Sequence, residues 1–355
     1  MIIDQFLSGF HYGDAIGNSV LRFHKYLSGK GIRSRIIAIT IDDEVKEYCI
    51  PFDEYKEEPD SISIYHYAIA SPLNDYFLNR KKSDILVYHN ITPSKYFRGF
   101  SDELSNLTKR GRKELGLFSG KFGLVIADSE FNAKELRKLG FRNIRIFPIM
   151  INMEEYKGEF SRSYMDVFSD DKKNVLFVGR ITPNKKIEEL IKFISIYKKI
   201  VSEDIRMIIA GNLNSVPEYF SSLLDLKHDL GLEIEDLFFT GHIPFRELLS
   251  VYRSADLFLS LSEHEGFCLP LIESSFFKIP VIAYNAGAIA ETLKGSGILI
   301  NDKSMDKLVV LAEKVLIDDK VKMKLSKSAA ERAIRYEKDS NPGKLLDLIL
   351  ERSND

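Results

Sequence analysis

The chain has 355 residues, with 50 Lys and Arg against 52 Asp and Glu and a formal net charge of -2. That balance excludes a general nucleic-acid binder, which would be strongly basic, and the length suits two domains better than one. Two distant cysteines, Cys49 and Cys268, make neither a disulfide framework nor a metal-ligand spacing. The start Met1-Ile2-Ile3-Asp4 has no signal-peptide pattern, and no apolar run reaches the length of a bilayer span. A cytoplasmic location is therefore expected.

Short β-branched runs alternate with longer amphipathic stretches along the whole chain. In the first half, strands are predicted at 2–7, 35–40, 62–68, 85–89, 123–127 and 144–149, with helices at 18–28, 71–80, 102–117 and 132–139. A polar stretch at 152–173 reads as a linker. The pattern then restarts, with strands at 174–178, 206–210, 237–240, 255–261, 281–284 and 298–300. The helices between them are predicted at 186–197, 217–230, 245–253, 271–277 and 307–317, followed by tail helices at 321–336 and 343–351. Strand–helix alternation implies right-handed crossovers and parallel sheets. The fold class expected is α/β, with two doubly wound Rossmann-like halves facing across a cleft.

Several loops at strand ends carry chemistry. Gly13 and Gly17 flank Asp14-Ala15-Ile16 after the first strand, where glycine permits close backbone approach. Their spacing is not Gly-x-Gly-x-x-Gly, which argues against a nicotinamide-dependent oxidoreductase. His89-Asn90 ends the fourth strand. Gly179-Arg180 ends the first strand of the second half, with Lys185 five residues on. Together Arg180 and Lys185 can reach a diphosphate and neutralise it as it leaves. The cluster Lys109-Arg110-Gly111-Arg112-Lys113 reads either as a solvated helix face or as a contact for an anionic membrane.

The densest signal is Glu265-Gly266-Phe267-Cys268-Leu269-Pro270-Leu271-Ile272-Glu273. It places one carboxylate in a loop and a second inside a following helix. Two carboxylates beside an anion site suit a ligand with both hydroxyls and phosphate, such as a nucleotide sugar. A zinc reading of His264, Glu265 and Cys268 needs a continuous helix, which Gly266 and Pro270 oppose. No Asp-x-Asp triplet occurs, so neither a metal ion nor another cofactor is expected.

With these motifs in place, the chain resembles the GT-B glycosyltransferases of family 4, retaining enzymes that use nucleotide-sugar donors. The Glu265 to Glu273 element carries the resemblance, together with Ile279-Pro280-Val281-Ile282-Ala283, Gly287, Glu291, the segment Phe177-Val178-Gly179-Arg180 with Lys185, the Gly13 to Asn18 loop and Tyr88-His89-Asn90-Ile91-Thr92-Pro93. By position it implies that Arg180 and Lys185 hold the donor diphosphate, Glu265 the transferred sugar and Glu273 the ribose. Gly266, Phe267, Cys268 and Leu269 would offer backbone amides, and His242 and Ile243 would border the base. His89, Gly13 and Gly17 would face donor and acceptor from the first domain. Lys186, Cys268 and Ala288 depart from the pattern, standing where glycine is common.

The implied domains are 1–160, with a C-terminal helix at 340–355 packing back on it, and a donor domain at 161–339. The implied reaction moves a sugar from a UDP- or GDP-sugar to a hydroxyl of a glycan, a lipid-linked glycan or a small molecule. It proceeds with retention and no evident covalent nucleophile, and contact with the inner face of the membrane would serve a lipid-linked acceptor. Two other readings fit the same residues: a sugar-nucleotide 2-epimerase and a non-catalytic nucleotide-sugar-binding protein.

Overall fold

A computed structural model of the chain describes residues 1–82 and 84–351. Its described residues divide into two units: those within 1–95, 103–152 and 337–351 form the first, and 96–102 with 153–336 the second. The divisions thus fall at 152/153 and 336/337, a few residues before the expected 160 and 339. Residues 352–355 of the expected last helix lie outside the described residues.

In the first unit, alternating apolar residues build parallel strands that are covered on both faces. The elements are β1 (Ile2–Phe10), α1 (Ala15–Gly29), β2 (Arg33–Ile41), β3 (Cys49–Pro51), β4 (Ser61–Tyr67), α2 (Leu73–Asn79), β5 (Ile85–Tyr88), α3 (Asp102–Leu115), β6 (Leu124–Ala127), α4 (Glu130–Lys138) and β7 (Ile144–Ile146). The strand order is β3-β2-β1-β4-β5-β6-β7, with every pairing parallel. Tyr65, Tyr67, Leu86 and Tyr88 enter one core. Their neighbours Ile64, Ile85 and Val87 enter the other, as the two-residue period of a strand requires.

The second unit repeats the plan with α5 (Arg162–Asp166), β8 (Lys173–Val178), α6 (Ile187–Ile200), β9 (Ile205–Ala210), α7 (Pro217–Asp229), β10 (Leu237–Gly241), α8 (Phe245–Ser254), β11 (Leu257–Ser260), α9 (Pro270–Phe276), β12 (Val281–Tyr284), α10 (Ile289–Leu293), β13 (Ile298–Ile300), α11 (Met305–Ile317) and α12 (Asp319–Asp339). Its sheet runs β10-β9-β8-β11-β12-β13 and is also parallel. The chain then returns to the first unit as α13 (Pro342–Glu351), whose Leu345, Leu346 and Ile349 join Phe23 and Leu27 of α1 in a common core.

The fold is the expected class: two parallel, Rossmann-like α/β units. The stretch read as a linker is structured. Met153, Tyr156 and Phe168 are buried, and the Ser161 amide donates to Arg246 O at 3.3 Å and Ser250 Oγ at 2.9 Å. Its polar composition hid these few anchoring apolar residues. The short elements β3, α5 and α10 are likewise absent from the sequence pattern.

Candidate functional site

In an open α/β sheet, ligands bind beyond the strand ends where the strand order reverses. In the second unit that point lies between β8 and β11, which pair through Leu257 with Val175 and Phe258 with Leu176. Gly179-Arg180 leaves β8 there, and the 262–269 loop leaves β11. The two loops are stitched together: Glu263 N–H donates to Asn184 O at 2.9 Å, and Asn184 Nδ2 to His264 O at 3.0 Å.

The stitching brings Lys185 to Glu265. Lys185 Nζ lies 2.7 Å from both carboxylate oxygens, with 17% and 7% of the two side chains exposed. Gly287, at φ +59°, fixes the other side of Glu265. A Cβ there would meet the Glu265 carbonyl oxygen at 2.2 Å, and Ala288 N–H donates to that oxygen at 2.9 Å. Burial first, and the Glu265 carboxylate second, push the Cys268 thiol well above its ordinary range.

Glu273 is buried in the first turn of α9. Its two oxygens accept from the hydroxyls of Tyr156, at 2.6 Å, and Tyr252. Burial raises its pKa, while the two phenol bonds act in the opposite sense. Neither tyrosine was singled out from sequence: Tyr156 sits in the apparent linker and Tyr252 in the apolar stripe of α8.

Arg180 is exposed and has no ion pair among the described residues. His242 is exposed after β10, while Ile243 packs on the core cluster containing Tyr252. Phe267 is buried, its ring 5.7 Å from that of Tyr336, and its carbonyl accepts from Thr292 Oγ1 at 2.5 Å. Gly266 and Leu269 complete the loop into α9. The segment at 96–102 also belongs to this unit. Tyr96 donates to Glu263 O at 3.4 Å, and Phe100 sets its ring edge-on to Tyr219 at 5.2 Å.

In the first unit, Gly13 (φ +75°) turns the chain into α1. Asp14 caps that helix by accepting from Ile16 and Gly17 N–H at 3.1 Å each. Gly17 packs against Phe10, where a Cβ would lie 3.3 Å from the ring.

His89 has both ring nitrogens engaged. Nδ1 meets Asp128 Oδ2 at 2.8 Å and Nε2 meets His66 Nδ1 at 2.9 Å. The His89 and Asp128 side chains are each 3% exposed. His66, His89 and Asp128 stand at the C-terminal edges of β4, β5 and β6, three adjacent strands. Of the three, the sequence pattern marked only His89; His66 and Asp128 join it through the order of the strands. In the helical cluster at 109–113, Arg110 pairs with Glu114 and Arg112 with Glu135.

Among the described residues, no group of three or more His, Cys, Asp and Glu side chains could hold a metal ion, and no helix is long and apolar enough to cross a membrane.

Residues 166–332 match the family model described as Glycosyl transferases group 1. The matched stretch makes up just under half of the chain. It contains both carboxylates, Arg180 and Lys185. The chain is similar to the serotype-specific mannosyltransferase WbdA of Escherichia coli, at 26% identity over 51% of this chain and 22% of that protein. It is also similar to an uncharacterized glycosyltransferase of Methanocaldococcus jannaschii, at 31% identity over 54% of this chain and 47% of that one. The chain therefore spans less than half the length of either relative. The crystal structure of Anabaena HepE in complex with UDP-glucose superposes with a TM-score of 0.74 over 100% of this chain and 99% of that one. At 16% identity this likeness is one of fold.

Proposed function

We propose that the chain is a retaining glycosyltransferase that moves a sugar from a UDP- or GDP-sugar to a hydroxyl of a glycan, a lipid-linked glycan or a small molecule. The Lys185–Glu265 pair, at the ends of the two strands flanking the switch point, carries this reading. A match to the group 1 family over 166–332, a mannosyltransferase relative and a fold neighbour solved with UDP-glucose support it.

In this reading Lys185 and Arg180 receive the donor diphosphate. As Lys185 turns part of its charge to phosphate, Glu265 is released to accept from hydroxyls of the sugar, and Glu273 from those of the ribose. The bond from the anomeric carbon to the phosphate oxygen breaks, and its electron pair leaves with the nucleoside diphosphate. The acceptor oxygen bonds to the same face of the sugar and passes its proton to a departing phosphate oxygen. Lys185 and Arg180 stabilise the charge that develops there. The donor side is the unit at 153–336, the acceptor side is the other, and no metal or cofactor takes part. Docking of the 109–113 face on an anionic membrane would serve a lipid-linked acceptor.

The test is incubation with UDP- and GDP-sugars and a panel of acceptors, with the product anomer read by NMR. A product of inverted configuration contradicts the mechanism. Conversion of the donor to its 2-epimer without any acceptor assigns an epimerase instead.

A further inference from the structure

The second unit has another concave feature, whose lining contains none of Arg180, Lys185, Glu265 or Glu273. It is an open groove of about 950 Å³ bordered by the 157–163 segment and by α8. Its charged lining is Lys157, Arg162, Arg246 and Arg253 against the single acid Glu159.

Lys157 is paired with Glu154 at 2.5 Å. The three arginines have no ion pair among the described residues. This contrasts with Arg35, Arg80, Arg137 and Arg206, each of which faces a carboxylate. In a chain whose acids outnumber its bases, three unpaired guanidinium groups in one concavity repel one another and leave a local positive field.

One of the three is held in place. Arg253 lies 4.6 Å over the Phe160 ring and 5.6 Å from that of Phe277, and donates to Tyr156 O at 3.5 Å. A guanidinium fixed by stacking loses little freedom when it binds an anion. The planar forks match phosphoryl oxygens two at a time. Three forks need more oxygens than one carboxylate offers, and a phosphate or diphosphate supplies them. The groove is too small, and the whole chain too acidic, for a nucleic-acid track.

We propose that this groove binds a phosphorylated anion, either the headgroup of an anionic lipid or a soluble phosphate ester, separately from any ligand of the Lys185–Glu265 site. The proposal does not depend on the transfer reaction.

Calorimetry with inorganic pyrophosphate on the full chain tests it, in a Lys185→Ala background so that phosphate binding at the switch point does not mask the groove. Pyrophosphate is expected to bind this chain, more weakly as salt rises. Adding Arg162→Gln and Arg246→Gln is expected to lower the affinity at least about tenfold. Both side chains are exposed, so an unchanged melting temperature is expected; each single substitution is measured as well. Absence of binding in the Lys185→Ala chain, or binding that the glutamines leave unchanged, overturns the proposal. Flotation with phosphatidylcholine vesicles with and without phosphatidylglycerol separates the two sources. Flotation that requires phosphatidylglycerol and both arginines assigns a lipid headgroup. Arginine-dependent pyrophosphate binding without flotation assigns a soluble phosphate ester.

Discussion

Lys185 bridges both carboxylate oxygens of Glu265 at 2.7 Å, across two loops that leave adjacent strands 80 residues apart in sequence. The pair is largely buried, so removing one partner strands the other's charge, at a cost of about 3–5 kcal/mol. An acidic and a basic group that neutralise each other without ligand can each be released by a ligand bearing hydroxyls and phosphate.

Lys185→Ala is expected to lower turnover at least about tenfold, because phosphate stabilisation is lost from the transition state. Lys185 and Glu265 act as one unit. Lys185→Ala with Glu265→Ala is therefore expected to cost far less than the sum of the single losses. Steady-state kinetics on the four chains gives the coupling. Additive losses would separate the two roles.

Glu273 is held at a cost. Its pKa in the folded chain stands above the ordinary 4.5, so the folded state binds that proton more tightly than the unfolded state. Stability falls as pH rises from about 4.5 through the raised value, and the penalty is then constant up to neutrality. Glu273→Gln keeps an acceptor for a phenol and removes the charge. A melting temperature higher by about 2–4 °C at pH 7.5 is expected for each kcal/mol regained. The gain should close as pH falls below 4.5. Nucleotide affinity is expected to fall about tenfold, which calorimetry reads directly. Undiminished affinity would remove Glu273 from the ribose.

The first unit should show the opposite pH trend. Burial, then the neighbouring His89, hold the His66 pKa well below 6.5. A neutral His66 thus contributes stability above pH 6.5 that is lost as pH falls through that value toward the folded pKa. His66→Gln is expected to flatten the decline of melting temperature between about pH 7 and 5. His89 Nε2 faces His66 Nδ1 at 2.9 Å, and a decline unchanged in this variant would remove His66 as its source. Asp128→Asn is expected to cost about 1–3 kcal/mol, since it withdraws the charged acceptor from a buried imidazole.

The sheets were legible because the central parallel strands are apolar on both faces, and turn residues mark where the runs stop. The joining of Lys185 to Glu265 could be anticipated from their places at strand ends in a doubly wound sheet. Tyr156 and Tyr252 could not, because a phenol that caps a carboxylate reads in sequence as an aromatic core residue. The row from His66 through His89 to Asp128 needed the strand order β4-β5-β6 before the three residues became neighbours. The structured stretch from 153 to 173 was hidden because three buried side chains, Met153, Tyr156 and Phe168, anchor an otherwise polar segment.

The departures from glycine also resolve into physics. Lys186 has φ +56° and Cys268 φ +73°, so both hold the left-handed backbone for which glycine is favoured. Ala288, at φ -89°, does not, and alanine there carries no strain. An L-residue in that region costs about 1–2 kcal/mol. Cys268→Gly relieves this strain but gives up the thiol's packing on the core of the second unit. The two terms nearly cancel, and a change within about 1 kcal/mol is expected. Cys268→Val adds β-branching to the same backbone and is expected to destabilise by at least about 2 kcal/mol. Melting temperatures of the three chains check the order. The half-buried thiols give a second reading: desolvation pushes Cys49 up to about 12 and Cys268 well above its ordinary 9.0. Both should label slowly with a thiol reagent at pH 8, and rapid labelling of Cys268 would mean that its loop opens in solution.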